Sequence, residues 1–390
     1  MPSAQTVVCP YCFETWSTSV AAYRCLGPPD DPRCPREPDA AQAALLGGAA
    51  VLQKRVVTRK ARFGRAIPTG TGATCECGAR TTPVCPRCHS GLPHAYAEGG
   101  DRLIGLIGTK SSGKSHYIAV VMHELFQGVG ARYGAVVELL DDDTRTRYET
   151  DLVRPIYDDG VALPATTTAA VDERVRRPLG LRLSFPGEKR RQVVNAVFFD
   201  TAGEDLSNDA VLAREARYVG QCSALILLID PLQVPAIRDL VGTTTVLPDE
   251  VIDPLEVLRN VTELLRRQRG VPRPKALEQP LAIAFSKLDA IRPLFEDGSP
   301  VLREPASDGM YDAAEARSVG ALLRAQLIEW LGPEFDAYAA ENYRSANYFA
   351  VSALGAQPSP DGRLSGDVAP HRVADPLLWV LSEWRAIESR

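Results

Sequence analysis

The chain has 390 residues, enough for a large core and for two domains, with 45% hydrophobic and 24% charged residues. A formal net charge of −5 and a pI near 5.7 argue against a protein that coats nucleic acid. No apolar signal region opens the chain, and the longest apolar run, Ala224 to Ile229, is far too short to span a bilayer, so a cytoplasmic protein is expected.

Eight of the nine cysteines lie before residue 89, which marks a separate module over residues 1–98; Cys222 is the ninth. In a reducing compartment, paired cysteines point to metal more than to disulfides. Cys9-Pro-Tyr-Cys12 and Cys85-Pro-Arg-Cys88 are C-P-x-C knuckles, tight turns that present two thiolates to one tetrahedral Zn²⁺. Cys25 and Cys34 follow at a wider spacing, and Cys75-Glu-Cys77 precedes Gly78. Eight thiolates fit two Cys₄ sites, hence two zinc ions per chain. Sequential pairing gives Cys9, Cys12, Cys25 and Cys34, then Cys75, Cys77, Cys85 and Cys88. A crossed pairing, in which Cys9 and Cys12 join Cys85 and Cys88, is the alternative. His89, beside the last knuckle, is read as a bystander.

Residues 40–50, rich in Ala, Leu and Gly, suggest a helix. The stretch Lys54 to Arg65 carries six basic residues and one aromatic. It is the only local support for a nucleic-acid contact; a solvated basic face, or docking on an acidic protein, fits the acidic whole better. Residues 91–101 read as a linker.

From residue 101 apolar runs alternate with helical patterns, which predicts an α/β domain with a mainly parallel sheet over 101–390. Candidate strands are 102–107, 179–185, 193–199, 224–230, 281–286 and 347–352. Candidate helices are 114–127, 206–219, 254–269, 314–331 and 376–388. Motifs fall where these strands end, the place where open α/β sheets hold ligands.

The first motif is Gly108-Thr-Lys-Ser-Ser-Gly-Lys-Ser115, a G-x-x-x-x-G-K-S phosphate-binding loop between an apolar strand and a helix. Gly108 and Gly113 let the backbone curl, so that N–H groups along Lys110, Ser111, Ser112 and on to His116 point at an anion. The helix N-terminus adds partial positive charge. Lys114 reaches the β- and γ-phosphates, and the Ser115 hydroxyl suits Mg²⁺. The second motif, Asp200-Thr-Ala-Gly203-Glu204, follows an apolar strand; Asp200 suits Mg²⁺ through water, and the Gly203 N–H suits the γ-phosphate. The third, Ser286-Lys287-Leu288-Asp289, places a carboxylate that accepts from guanine N1–H and its 2-amino group. Adenine offers neither donor in those positions. The fourth, Ser352-Ala353-Leu354, ends a late strand.

In this order the four motifs resemble the translation-factor-related, TRAFAC class of P-loop GTPases, over residues 101–390. Joined to a cysteine-rich head that reads as a zinc-ribbon module, they resemble bacterial proteins of the double-GTPase type. The resemblance implies a GTP/GDP-binding switch that hydrolyses GTP to GDP and phosphate. It implies a protein effector or activator, and a setting in bacterial conflict or signalling systems. It also implies that the Ser352-Ala353-Leu354 backbone touches guanine O6, and that a switch threonine completes the Mg²⁺ shell. Thr166, Thr167 and Thr168 compete for that role, and Thr166 is preferred. Ser111 is similar to a serine with which dynamin-like GTPases hold a monovalent cation.

The departures carry expectations of their own. Ser286 stands where Asn or Thr is usual, and Glu204 where Ras-like proteins carry a water-orienting Gln. Slow intrinsic hydrolysis follows. Lys110 either reaches the phosphates or points to solvent, and solvent is preferred. The Asp141-Asp-Asp143 run is read as a solvated loop rather than a metal site. The competing functions are an ATP-dependent P-loop NTPase, against which Asp289 argues, and a zinc-ribbon nucleic-acid-binding protein regulated by nucleotide.

Overall fold

The computed structural model describes residues 4–46, 51–62, 65–67, 72–93, 96, 102–108, 111–164, 178–186, 192–198, 216–241, 245, 247–248, 251, 253–305 and 308–390. In chain order the N-terminal strands are β1 (Thr6–Val8), β2 (Thr15–Ser17), β3 (Val20–Cys25), β4 (Glu37–Pro38), β5 (Leu52–Gln53), β6 (Val56–Lys60) and β7 (Thr81–Val84). They form small antiparallel sheets, of which the largest is ordered β6-β3-β7. The helix Ala40–Leu46 lies where the Ala-rich stretch predicts one.

The second half is built on β8 (Leu103–Gly108), β9 (Val136–Leu139), β10 (Leu179–Phe185), β11 (Gln192–Phe198), β12 (Ala224–Ile229), β13 (Leu281–Phe285) and β14 (Ala346–Ala350). They form one seven-stranded sheet in the order β14-β13-β12-β8-β11-β10-β9. β11, β8, β12, β13 and β14 run parallel, and β10 and β9 close one edge antiparallel. The fold is thus an α/β P-loop domain with a cysteine-rich N-terminal part.

Strands covered on both faces need no polar alternation, and β12 accordingly reads Ala-Leu-Ile-Leu-Leu-Ile with every residue buried. Its side chains divide between two apolar layers: Leu225, Leu227 and Ile229 enter one, Ala224, Ile226 and Leu228 the other. The helices obey local signals. Asp253 caps Pro254–Arg269 by accepting from the Leu255 N–H at 2.8 Å, and Gly270 ends it with φ 63°. Asp312 caps Ala313–Leu331 through the Glu315 N–H at 2.9 Å.

Some elements escape the sequence reading. β9 and the helix Pro333–Asn342 are additional. The stretch 142–158 is helical, and Asp141 caps its first turn through the Thr144 N–H at 2.6 Å. Asp141 is therefore a helix cap rather than a solvated loop residue, and its second oxygen accepts from the Tyr11 hydroxyl. Within the predicted linker, Tyr96 is buried and donates to the Val8 carbonyl at 3.0 Å. The apolar layer on one face of the large sheet includes Val7, Tyr11, Phe13, Trp16 and Tyr96, so the N-terminal part shares a core with the sheet. Among the described residues, no helix is long and apolar enough to cross a membrane.

Candidate functional site

β8 delivers the phosphate loop onto the helix Lys114–Glu124. Ser111 (φ 61°) and Gly113 (φ 79°) take left-handed backbone, the reversals that turn N–H groups toward one point. A Cβ at Gly108 would lie 2.6 Å from Ser112 Oγ and 3.0 Å from the Leu228 carbonyl, so only glycine fits. Ser112 is fully buried, and its hydroxyl lacks a hydrogen-bond partner among the described residues. A tight cradle with a spare buried donor suits an anion. The Lys114 ammonium donates to the Gly108 carbonyl at 3.0 Å, which folds it back over the loop beside Ser115.

β13 and β14 run parallel, and their C-terminal ends bring the third and fourth motifs together. The Ser352 hydroxyl donates to an Asp289 carboxylate oxygen at 2.5 Å and accepts from the Gly355 N–H at 2.9 Å. The other Asp289 oxygen has no hydrogen-bond partner among the described residues. Asp289 lines a cleft of about 220 Å³ with Gly113, His116, Lys287, Ala353 and Leu354. Ser286 also borders it, but its hydroxyl donates to the Ile229 carbonyl at 3.2 Å and ties β13 to β12.

Lys287 has φ 53° and sends its ammonium to Asp230 Oδ2 at 2.6 Å. Asp230 is fully buried, and its other oxygen caps the Leu232 N–H at 2.9 Å. The sequence reading passes over Asp230; the available signal is an Asp placed between an apolar strand and a proline. His116 Nε2 accepts from the Leu163 N–H at 3.0 Å. Burial first, then the charge of Lys287, lowers its pKa to about 4, so the ring is neutral at pH 7 with its proton on Nδ1.

The cysteines pair crosswise. Cys9, Cys12, Cys85 and Cys88 form one group and Cys25, Cys34, Cys75 and Cys77 the other, with the sulfurs of each group within 4.8 Å of one another. All are buried and reduced. Sulfur separations of 3.7 Å (Cys9–Cys88), 3.5 Å (Cys25–Cys77) and 3.8 Å (Cys34–Cys75) match the edge of about 3.8 Å of a tetrahedron with metal–sulfur bonds near 2.3 Å. Backbone N–H groups of Tyr11 and Arg87 reach the first sulfur of their knuckles at 3.4 and 3.3 Å. Burial raises the Cys9 thiol, whereas hydrogen bonds from Cys12, Cys85 and Cys9 lower Cys88. His89 is a bystander: its Nδ1 lies 2.9 Å from Asp39. Both groups could hold zinc.

Lys110, Thr166, Thr167, Thr168, Asp200, Gly203 and Glu204 lie outside the described residues.

Residues 102–320 match the Double-GTPase 2 family. The chain belongs to that family. Its GTPase-type domain therefore carries the phosphate loop and the Asp289 cleft. A protein of Mycolicibacterium smegmatis named as a candidate ESX-1 scaffolding and assembly protein, SaeC, is 31% identical over 337 residues, covering 81% of this chain and 83% of that protein. Among solved structures, the signal recognition particle receptor SRb-GTP/SRX complex from Chaetomium thermophilum aligns over 69% of this chain and 94% of that chain, at 13% identity and a TM-score of 0.30. The Ski7 GTPase-like domain of S. cerevisiae aligns over 74% of this chain and 51% of that chain, at 11% identity and a TM-score of 0.31. Likeness at this distance carries no functional information.

Proposed function

We propose that this chain is a guanine-nucleotide switch: it binds GTP and GDP with Mg²⁺ in preference to ATP, hydrolyses GTP slowly, and passes its state to protein partners. The observation that carries this is Asp289, a carboxylate with one oxygen fixed by Ser352 and the other without a partner among the described residues, lining a cleft next to the phosphate loop. Guanine supplies the N1–H and 2-amino donors that such a group accepts; adenine leaves it unpaired. Lys287 flanks the base, and the backbone of Ala353 and Leu354 meets O6.

In this reading Lys114 and the N–H groups from Gly108 to His116 hold the phosphates. Ser115, Thr166 and Asp200 hold Mg²⁺, which supplies charge neutralisation at the β- and γ-oxygens when bound. Gly203 donates to the γ-phosphate and Glu204 accepts from the attacking water. Residues 101–390 form the GTPase domain and residues 1–98 the zinc-ribbon module, with one zinc in each cysteine group. The name of the mycolicibacterial relative supports partners that are proteins, in a scaffolding or assembly role. A bacterial signalling or conflict setting fits the same reading.

Titration of the purified protein with GTP, GDP and ATP in the presence of Mg²⁺, followed by single-turnover hydrolysis, tests it. Guanine nucleotides should bind at least tenfold tighter than ATP, with turnover well below about one per second. Equal affinity for ATP and GTP overturns the guanine assignment. Fast turnover that drops in Glu204→Ala overturns the slow switch in favour of a self-sufficient GTPase.

A further inference from the structure

Residues 216–221 form a helical turn just before β12. Tyr218 within it is 3% exposed. Its hydroxyl accepts from the Leu106 N–H at 2.8 Å and donates to the Val197 carbonyl at 2.7 Å. Sheet topology explains why both groups are available. Among the described residues the β8–β11 ladder pairs Leu103–Gly105 with Asn195–Val197 and no further, while β8 continues beside β12 as far as Gly108. The two strands therefore part at Leu106 and Val197, just before β8 enters the phosphate loop; in sequence, Asp200 follows β11 two residues after Phe198. A buried N–H and a buried C=O left open by that parting would each be costly, and one phenol satisfies both.

The tyrosine is held from the other side by the first cysteine group. Phe13 follows Cys12 directly, has φ 58°, and is fully buried. Its N–H donates to the Cys9 carbonyl at 3.1 Å, so the knuckle itself sets its position. Its ring lies 5.0 Å from the Tyr218 ring, tilted by 50°. Glu14 and Arg217 pair alongside at 3.8 Å.

We propose that Tyr218 is a positioning residue that sets the spacing between the phosphate-loop strand and the strand leading to Asp200, and that Phe13 of the first cysteine knuckle clamps it there. The inference rests on the nucleotide reading above. A triphosphate with Mg²⁺ engages both loops at once, whereas GDP leans on the phosphate loop and the base cleft. The spacing therefore bears on GTP more than on GDP, and the knuckle gains a route to the nucleotide.

The test uses the full chain and measures affinities for a non-hydrolysable GTP analogue and for GDP, with zinc content and melting temperature recorded. Tyr218→Phe keeps the ring and removes the hydroxyl. It should weaken the GTP analogue roughly tenfold and GDP less than about threefold, with zinc content unchanged. Phe13→Leu should give the same selective loss, and the double variant should lose less than the product of the two single effects. A merely structural role would lower the melting temperature and weaken both nucleotides alike; that result, or unchanged affinities in Tyr218→Phe, overturns the inference. If Phe13→Leu loses its zinc, Tyr218→Phe alone decides. Wild-type protein that binds no guanine nucleotide would instead overturn the reading beneath it.

Discussion

Asp289 gives one oxygen to Ser352, and the pairing does two things. It fixes the carboxylate plane, and it joins the ends of β13 and β14, so the cleft beside Asp289 is held by the sheet rather than by loop packing alone. Asp289→Ala should weaken GTP at least tenfold while leaving ATP binding unchanged, measured by competition titration. Asp230 acts one step further back. Its side chain is fully buried against the Lys287 ammonium, whose side chain is 30% exposed. In Asp230→Ala the lysine can turn to water, so the loss should be moderate, about 2 kcal/mol in urea unfolding, with guanine nucleotides weakened several-fold. No change in either quantity would make the ion pair incidental. Asp289 was legible as a candidate because it lies in a four-residue pattern. Asp230 was not, because its partner lies 57 residues away and nothing local announces the pairing.

At the scale of elements, the phosphate loop is the most constrained piece. Gly108→Ala puts a methyl against Ser112 Oγ and the Leu228 carbonyl. It should abolish tight nucleotide binding with little loss of secondary structure by circular dichroism, and Lys114→Ala should do the same by removing charge. Tight binding retained in both would mean that phosphate is held elsewhere. The long buried strands and the capped helices could be read from sequence because their signals are local: continuous apolar runs, and Asp-Pro or Asp-x-x-Glu at helix starts. The elements missed lack such signals. β9 is four residues long and half exposed, too short for a period to show. The helix Pro333–Asn342 begins behind Gly332-Pro333, which reads as a stop. The helical stretch Tyr148–Asp158 contains Pro155, which argues against a helix in any local reading.

Across the whole molecule the two cysteine groups differ in what they support. Cys9, Cys12, Cys85 and Cys88 belong to the same apolar layer as β12 and β13, whereas Cys25, Cys34, Cys75 and Cys77 form a small cluster of their own. Metal analysis should find about two zinc ions per chain. Cys88→Ser should lower the melting temperature of the entire chain by several degrees, whereas Cys77→Ser should leave the main transition in place. Equal effects would show that the groups are energetically equivalent. Spacing could pick out the eight candidate ligands but not divide them, because crossed and sequential pairings satisfy the same knuckles. The division is set by β3 pairing with β7, a contact between residues about sixty apart.

The crossed pairing also orders events during synthesis. Cys9 and Cys12 are translated well before their partners Cys85 and Cys88, and the rings that cover Phe13 include Tyr218, more than two hundred residues downstream. Until that tyrosine emerges, the first knuckle has an open apolar flank and a long loop to close. A segment translated ahead of its own cover is thus expected to settle only once that cover has arrived.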